Sequence, residues 1–351
     1  MPSRPDDARA HASCIPQTGG DNVVVHNLLP TAPLQQHPST VTLQVQDKTP
    51  VADGVVSLAL VHPDGTRLPD WTPGSHIDLI LPSGVTRQYS LCGDRWDPYT
   101  YRIAVLREDS GRGGSAYVHD QLMPGNLVEV GGPRNHFPLA PAERYLFIAG
   151  GIGITPLLPM IHQADVTGAD WQLLYGGRNR ASMAFLDELA ASYGDRVQIS
   201  PQDECGLLDL EAWLSQPDTG TKVYCCGPGP LLTAVEAACS RWPPYNLRTE
   251  RFTAKALTEP VHRGPFEVEL CRSGRTVTIT PDATVLQALR QAGADVLSSC
   301  EHGTCGTCLT PVVEGTPDHR DSVLTEHERA ANDCMLPCVS RSRSARLVLD
   351  L

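Results

Sequence analysis

Apolar and polar residues alternate along the chain between about residues 41 and 140. The alternation has a period of two at Val41/Leu43/Val45, Val56/Leu58/Leu60, Ile77/Leu79/Leu81 and Ile103/Val105. These segments are short and are separated by Pro, Gly and Asp, which is typical of strands joined by tight turns. The pattern predicts an antiparallel β-barrel over residues 41–140, with one helix at about residues 116–122.

The rhythm changes after Arg144, where short apolar runs alternate with amphipathic stretches. Strands are predicted at residues 145–149, 172–175, 196–200 and 222–226. Helices are predicted from Pro156 onward and at residues 184–194, 209–216 and 231–242. Alternating strands and helices need crossover connections, so residues 141–255 are predicted to form an α/β domain with a parallel sheet covered on both faces.

The last part of the chain has a different pattern again. Residues 256–265 contain Pro and Gly and are predicted to be a linker. Two strands at residues 266–270 and 276–279 flank Ser273-Gly274, which indicates a hairpin. A helix over residues 284–293 is expected to end at Gly293, and residues 347–351 form a closing strand. Residues 266–351 therefore read as a small α+β domain.

Composition limits the classes of partner. Residues 1–40 are rich in Pro, Gln, Asp, His and Thr and are predicted to be a flexible leader without the features of a secretory signal. The formal charge of the 351-residue chain is −12, from 40 acidic and 28 basic residues, and no basic stripe is visible. No apolar run is long enough to cross a bilayer. A cytoplasmic protein that binds neither nucleic acid nor membrane is expected.

Cysteines near the C-terminus carry the most specific chemistry. Cys300, Cys305 and Cys308 follow the spacing C-x4-C-x2-C, and further cysteines come about thirty residues later. This is the plant-type spacing for thiolates that hold a [2Fe–2S] cluster. Gly303 and Gly306 lie within the run, where they allow the backbone to approach sulfur closely. The spacing therefore predicts a one-electron carrier.

Other functions of these cysteines fit less well. Structural zinc usually takes two short Cys/His pairs, and disulfides need an oxidising compartment. The fourth ligand is not decided by spacing, because both Cys334 and Cys338 lie in the segment DCMLPCVSRS. A glutamate-containing stretch from Glu314 to Glu328 lies between the ligands. It is either a docking face for a basic partner or an ordinary solvated surface.

Two motifs in the predicted barrel indicate a phosphorylated flat ligand. Arg87 in the run R-Q-Y-S can hold a phosphate through its forked cation, while Tyr89 can lie against a ring and Ser90 can bond to a ring atom. The run G-R-G-G-S, residues 111–115, can form a nest of backbone N–H groups for a phosphate. Each motif alone is weak, but both occur in one barrel that precedes a nucleotide domain, which favours a flavin.

A glycine-rich turn marks the start of the α/β domain. Residues 149–156, A-G-G-I-G-I-T-P, lie between a strand and a helix, whose N-terminus favours a pyrophosphate. The spacing is not the usual dinucleotide fingerprint. Cys226 follows a later strand, at the sheet edge where open α/β sheets bind ligands. Arg178 and Arg180 follow another strand and could meet a 2′-phosphate.

Six ordered motifs, RQYSL, GRGGS, GPRNHFPL, AGGIGITP, VYCCGP and CEHGTCGTC, resemble the phthalate dioxygenase reductase family. That family includes the vanillate demethylase reductases and belongs to the ferredoxin–NADP reductase superfamily. The resemblance covers residues 41–351. It implies an FMN-binding antiparallel β-barrel, an NAD-binding α/β parallel-sheet domain and a C-terminal β-grasp ferredoxin domain with a [2Fe–2S] cluster. FMN instead of FAD, and NADH instead of NADPH, rest on this resemblance.

The resemblance also implies particular site residues. Cys338 becomes the fourth cluster ligand, since the family ligand directly precedes a segment like V-S-R-S. Ser90, Cys226 and Phe252 are expected to be catalytic, with Phe252 covering the flavin ring and Cys226 near the nicotinamide. The expected cofactor contacts are Arg87, Gln88, Tyr89, Ser90, Ala104, Val105, Leu106, Arg112, Gly113, Gly114, Ser115, Gly151, Gly153, Thr155, Cys226 and Phe252.

The resulting hypothesis is an electron relay. NADH delivers a hydride to FMN, and electrons pass singly to the cluster and then to a separate oxygenase, so the cofactors carry the chemistry. A Rieske-type oxygenase is the expected acceptor, with a cytochrome P450 as the alternative. A protein that senses redox state through its cluster without oxidising NADH is the remaining hypothesis from another class.

Overall fold

The computed structural model describes residues 40–108 and 113–351. The predicted leader lies outside the described residues except for Thr40. The predicted flavin contact Arg112 also lies outside them. Three main sheets fill the described part of the chain, in the order in which the sequence predicts them.

The first sheet is the predicted antiparallel barrel. Its strands are β1 (Val41–Ala52), β2 (Val55–Val61), β3 (Ser75–Ile80), β4 (Thr86–Ser90), β5 (Thr100–Leu106) and β6 (Leu127–Asn135). They pair in the order β4-β3-β6-β1-β2-β5, and a bridge between Leu91 and Ile103 joins the two ends of the sheet. Helix α1 (Gly114–Asp120) begins and ends two residues before the predicted helix. The alternating apolar residues Leu43, Leu58 and Ile77 are fully buried in the barrel core.

The second sheet is parallel. It contains β7 (Arg144–Gly150), β8 (Asp170–Gly177), β9 (Val197–Pro201), β10 (Thr221–Cys226) and β11 (Leu247–Glu250), in the order β11-β10-β7-β8-β9. Its helices are α2 (Ile154–Val166), α3 (Leu186–Tyr193), α4 (Gln202–Cys205), α5 (Leu210–Leu214) and α6 (Gly229–Ala238). Phe147 and Ile148 belong to separate apolar clusters because successive side chains point to opposite faces. The sheet is therefore covered on both faces, as predicted.

The barrel and the parallel sheet share one of these apolar clusters. Val55 and Ala104, on the outer side of β2 and β5, pack in the same core as Phe147 and Leu157 of the parallel-sheet module. Phe137, just after β6, joins them and stacks edge-on against Tyr224 at 5.4 Å between ring centroids. This explains why β2 is buried at almost every position although a barrel strand with one solvated face would alternate.

The third sheet contains the cysteine motif. Its strands are β12 (Phe266–Leu270), β13 (Arg275–Ile279), β14 (Thr310–Glu314), β16 (Cys334–Met335) and β18 (Arg346–Leu349), in the order β13-β12-β18-β14-β16, while β15 (Pro317–Asp318) pairs with β17 (Arg341–Ser342). The hairpin turns at Gly274, whose φ is 65°. Helix α7 (Val285–Gln291) begins with a capping box between Thr284 and Gln287. Helix α8 (Glu326–Ala331) follows the cluster loop.

In the described residues, no helix has both the length and the apolar composition needed to cross a bilayer.

Candidate functional site

The four cysteines predicted to bind the cluster come together as two sulfur pairs. The thiols of Cys300 and Cys305 lie close enough to interact with each other, and so do those of Cys308 and Cys338. Among the described residues, no group of three or more His, Cys, Asp or Glu side chains surrounds a position for a single metal ion. Two pairs instead of one tetrahedral group suit a [2Fe–2S] cluster, in which four thiolates are shared between two irons. The donor set therefore fits the cluster better than a zinc ion.

Backbone N–H groups point at the sulfurs of the loop. The amide of His302 donates to Cys300 Sγ at 3.3 Å, and the amide of Thr307 donates to Cys305 Sγ at 3.4 Å. The pKa of the Cys300 thiol is lowered, first by the hydrogen bond from Cys305 and further by the amides of His302 and Thr304. Donors of this kind stabilise the negatively charged thiolate, and the thiolate is the form of cysteine that binds iron.

Close packing around the loop explains its two glycines. Gly303 and Gly306 both have φ near +70°, a conformation that other residues rarely adopt. A Cβ on Gly303 would lie 2.6 Å from Val339 Cγ2, and a Cβ on Gly306 would lie 2.7 Å from the ring of His136. The loop therefore packs tightly on its own module through Gly303 and on the barrel through Gly306.

The two candidates for the fourth ligand have different surroundings. Cys338 is 3 % exposed and contacts Cys308, whereas Cys334 lies in β16 and pairs with Pro311 of β14. Burial raises the pKa of the Cys334 thiol to about 12, with Asp333 and Glu328 adding to the effect. The structure thus brings Cys338 into the sulfur group and gives Cys334 the surroundings of an inert thiol.

Part of the predicted acidic stretch is structural. Asp318 and Asp321 are 6 % and 2 % exposed, whereas Glu314, Glu326 and Glu328 are exposed, so docking through the exposed glutamates stays a prediction. Asp321 Oδ1 accepts hydrogen bonds from the amides of Val323 and Leu324, which orders the turn before α8. Glu328 completes the capping box of α8 with Thr325. These carboxylates are used to fold the loop between the ligands.

The predicted phosphate-binding residues of the barrel meet at the start of α1. Gly113 has φ 79°, and a Cβ on Gly114 would lie 2.7 Å from Arg87 Cγ and 2.8 Å from Nε. The Arg87 side chain therefore lies directly over the glycine backbone. Ser115 Oγ accepts from the amide of Glu108 at 3.0 Å. A guanidinium over a glycine turn fits the phosphate of FMN.

Tyr89 and Ser90 are the last two residues of β4, which also carries Arg87. The hydroxyl of Tyr89 is buried and has no hydrogen-bond partner in the part of the chain that the structure describes. Burial also raises the pKa of that phenol. A buried hydroxyl without a partner is costly, so Tyr89 is a candidate for contact with a polar ligand. Ser90 is 5 % exposed, at the end of the same strand.

Other predicted flavin contacts have more restricted roles. Val105 is fully buried in the barrel core and its carbonyl contacts His119 Nε2 at 2.9 Å, so its side chain is not available to a ligand. Ala104 is packed in the shared core and Leu106 is 37 % exposed. Gln88 Nε2 donates to Asp78 Oδ1 at 3.0 Å, so the Gln88 side chain points at the Asp78 carboxylate. The structure does not show Gln88 grouped with Arg87 around the glycine turn.

The predicted nucleotide-binding turn approaches the end of β10. Gly151 has φ 54°, and a Cβ on Gly153 would lie 2.2 Å from the carbonyl oxygen of Cys226. Thr155 is 2 % exposed, and its hydroxyl donates to the carbonyl of Ile152 at 3.0 Å. The glycine turn and Cys226 are thus brought together at the carboxyl edge of the sheet, where a pyridine nucleotide is expected.

A half-buried carboxyl beside Cys226 was not predicted from the sequence. Glu250 pairs with Cys226 across β10 and β11, and its Oε2 lies 3.9 Å from Cys226 Sγ. Burial raises the pKa of Glu250 to about 8. Phe252 follows two residues later and is 45 % exposed, and its role in covering the flavin ring stays a prediction. The four-residue strand β11, LRTE, is short and polar and gave no strand signal.

The raised pKa of Glu250 predicts a pH-dependent stability. The unfolded carboxyl ionises near its ordinary pKa of 4.5, while the folded one keeps its proton up to about 8. The contribution of the protonated Glu250 carboxyl to the free energy of unfolding is therefore fully present below pH 4.5, and it is lost as pH rises toward 8. We expect Glu250→Gln to remove this loss, on the order of 3 kcal/mol after allowance for partial exposure.

Urea unfolding at pH 5.5 and pH 8 measures this effect. The control is Glu211→Gln, which removes an exposed carboxyl from α5 of the same module. Equal pH dependence in the wild-type protein and Glu250→Gln would contradict the assignment.

Family models match two parts of the chain. The model described as a 2Fe-2S iron-sulfur cluster binding domain matches residues 268–343. The model described as the N-terminal domain of dimethylamine monooxygenase subunit DmmA-like proteins matches residues 136–242. The first contains all four cysteines of the sulfur pairs.

Curated relatives align along most of the chain. The phenoxybenzoate dioxygenase subunit beta of Ectopseudomonas oleovorans is 47% identical over 86% of this chain and 94% of its own length. The phthalate dioxygenase reductase of Burkholderia cepacia is 38% identical over 88% of this chain and 97% of its own.

Two solved structures have the same arrangement. Phthalate dioxygenase reductase, described as a modular structure for electron transfer from pyridine nucleotides to [2Fe-2S], has a TM-score of 0.66 and 37% identity, covering 89% of this chain and 98% of that chain. An intact type IV self-sufficient cytochrome P450 monooxygenase has a TM-score of 0.84 and 45% identity, covering 89% of this chain. This chain spans only 41% of the P450 chain.

The barrel, the nucleotide sheet and the sulfur pairs define an electron-transfer oxidoreductase that carries its own iron–sulfur module. The chain belongs to the phthalate dioxygenase reductase family, together with vanillate O-demethylase oxidoreductase. The predicted fold class is confirmed, and so is the cofactor set of FMN, NADH and a [2Fe–2S] cluster. The protein is a reductase component of an oxygenase system.

Proposed function

We propose that this protein carries electrons from NADH through FMN and its [2Fe–2S] cluster to a separate Rieske-type oxygenase. The two sulfur pairs beside the flavin barrel are the observation that carries this proposal. The near-complete coverage of oxygenase reductase subunits, 94% and 97% of their lengths, supports a protein that acts on a separate oxygenase. A P450 acceptor is the second candidate, favoured by the TM-score of 0.84 to the P450 chain.

FMN, when bound, converts the two electrons of a hydride into single electrons, and the cluster exchanges one electron at a time. We assign the flavin phosphate to Arg87 and to the glycine turn that begins α1. The Tyr89 hydroxyl, which has no hydrogen-bond partner among the described residues, and the buried Ser90 are polar groups available to the ring. Phe252, which is exposed, is proposed to cover the ring until the nicotinamide replaces it.

The residues around Cys226 hold the nicotinamide end of NADH in this proposal. Gly151, Gly153 and Thr155 form the turn at the N-terminus of α2, where the helix dipole favours the diphosphate. Cys226 is fully buried and excludes water from the floor of the site. Glu250, beside Cys226, holds its proton at neutral pH because of burial, with a pKa raised to about 8. It can therefore donate a hydrogen bond without placing a negative charge beside the site.

The preference for NADH has a candidate cause at β8. Arg180 Nε contacts the Glu204 carboxylate oxygens at 2.8 and 3.1 Å, so its charge is already paired. A 2′-phosphate would compete with that carboxylate for the guanidinium. We expect Glu204→Ala to raise kcat/KM for NADPH by roughly ten-fold. The substitution removes the surface carboxylate, so the 2′-phosphate of NADPH can pair with Arg180 in its place. Steady-state kinetics with both nucleotides measure this ratio, and an unchanged ratio would contradict the role of Glu204.

Anaerobic reduction of the reconstituted protein tests the proposal as a whole. NADH should bleach the flavin and then the cluster, and the reduced protein should reduce cytochrome c. Separate assays with a Rieske-type oxygenase and a cytochrome P450 distinguish the two acceptors by turnover. Electron transfer to the P450 alone would overturn the Rieske assignment. A flavin-free protein that NADH does not reduce would favour the redox-sensing hypothesis.

The cytoplasmic location remains a prediction, which cell fractionation can test.

A further inference from the structure

A buried carboxylate of the barrel is bonded to the residue that precedes a cluster cysteine. Asp78, on β3, is 7 % exposed. Its Oδ1 accepts from Ser299 Oγ at 2.8 Å and from Gln88 Nε2 at 3.0 Å. Its Oδ2 lies 2.5 Å from Arg134 Nη2, an ion pair without hydrogen-bond geometry. Ser299 directly precedes Cys300, so the network joins the barrel to the cluster loop.

A second contact holds the same loop a few residues further on. The ring of His136, which follows β6, packs against Gly306 so closely that a Cβ there would lie 2.7 to 2.8 Å from three ring atoms. His136 and Arg134 belong to the end of the barrel that also contains Asp78, because β6 pairs with β3. The barrel therefore contacts the cluster loop on both sides of the Cys300–Cys305 pair.

We propose that Asp78 and Ser299 form a latch that positions the Cys300–Cys305 sulfur pair against the flavin strand for electron transfer. Gln88, which shares the carboxylate, lies between Arg87 and Tyr89, the proposed flavin residues of β4. The latch therefore fixes the distance between that strand and the nearest cluster cysteine, on which one-electron transfer depends steeply. Asp78 and Ser299 are positioning residues in this scheme, which rests on the proposed relay.

Because the Asp78 carboxylate is buried, separating the ferredoxin module from the barrel carries a free-energy cost. A buried carboxylate needs its hydrogen bonds because removing it from water is costly. When the ferredoxin module moves away, Asp78 loses the bond from Ser299 and keeps only its barrel partners. The free energy of that bond thus favours the docked arrangement.

Two neighbouring serines provide a matched pair of variants. The hydroxyl of Ser299 bonds to Asp78 and lies 3.4 Å from Gln88 Nε2, and both partners belong to the barrel. The hydroxyl of Ser298 bonds to Glu301 and Arg290, both of which belong to its own module. Removing the first breaks the link between modules, and removing the second changes the same loop without touching that link.

The experiment compares Ser299→Ala and Ser298→Ala as holoproteins carrying FMN and the cluster. In anaerobic stopped flow with NADH, Ser299→Ala should bleach the flavin at the wild-type rate. Its cluster reduction should be roughly ten-fold slower, in line with the loss of a hydrogen bond to a carboxylate. Hydrogen exchange of the backbone amides at residues 75–80 and 299–306 should become faster only in Ser299→Ala, and the spectrum of its reduced cluster should be unchanged.

Each result decides the latch separately from the relay. Wild-type cluster reduction and wild-type exchange in Ser299→Ala would overturn the latch. Equal slowing in Ser298→Ala would also overturn it, since a general disturbance of the loop would then explain the effect. Failure of the relay is distinct, because the wild-type protein itself would then not reduce its cluster with NADH.

Discussion

Replacing Cys338 by serine should abolish the [2Fe–2S] cluster, whereas replacing Cys334 by serine should leave it intact. Cys338 is buried in contact with Cys308, while Cys334 lies in β16 beside Asp333. Loss of one of four thiolates leaves one iron with an incomplete ligand set. Electron transfer to cytochrome c should fall by more than about 100-fold, because changes even outside the ligand shell of a metal site cost up to that factor.

Iron and sulfide content, visible absorbance and the electron paramagnetic resonance signal of the reduced protein measure the cluster directly. NADH-driven bleaching of the flavin is the internal control, since it needs no cluster and should persist in both variants. A normal cluster in Cys338→Ser, or a lost one in Cys334→Ser, would show that the ligand assignment is wrong.

Replacing Gly153 by alanine should disable the nucleotide site and destabilise the parallel-sheet module. The added Cβ would lie 2.2 Å from the Cys226 carbonyl oxygen and 2.7 Å from the Gly227 nitrogen, which are backbone atoms at and just after the end of β10. Relief requires the glycine turn and β10 to move apart. We expect a loss of about 3 kcal/mol in stability from overpacking. We also expect a roughly 100-fold lower kcat/KM for NADH, because the binding turn is displaced.

Gly229→Ala is the matched control in the same module. Gly229 is the first residue of α6, and a Cβ there would meet nothing within 4 Å. Its stability should change by less than about 1 kcal/mol, since alanine is the better helix former. Urea unfolding and steady-state NADH oxidation measure both variants. Similar behaviour of the two variants would show that the close approach of Gly153 to Cys226 is unimportant.

Local patterns predicted most of the fold. The period-two runs gave the barrel strands because one face of each is buried, as Leu43 and Ile77 show. The spacing of Cys300, Cys305 and Cys308 gave the cluster loop because ligands on one short loop are close in sequence. The turns at Gly153 and Gly303 could also be predicted from the sequence, since only glycine tolerates such a close approach of neighbouring atoms to the backbone.

Features that depend on strand register were missed. Glu250 lies beside Cys226 because β11 pairs with β10 in the register that sets the two residues opposite each other, and its polar strand gives no apolar signal. Asp78 meets Gln88 through the pairing of β3 with β4, and it meets Ser299 through contacts between modules. Neither pairing register nor docking between modules can be read from one sequence. For the same reason, the sequence did not predict that the Gln88 side chain, an expected FMN contact, points at Asp78.

The apolar core that joins the barrel to the parallel sheet has a consequence for how the protein can be divided. Val55 and Ala104 of the barrel are packed with Phe147 and Leu157, whereas the core around Phe266 and Leu347 contains only residues after 265. The first two modules should therefore melt as one cooperative unit, and the third should melt separately. A chimera that exchanges the C-terminal unit after residue 265 keeps every apolar core whole. A cut near residue 140 would expose the shared core and favour aggregation.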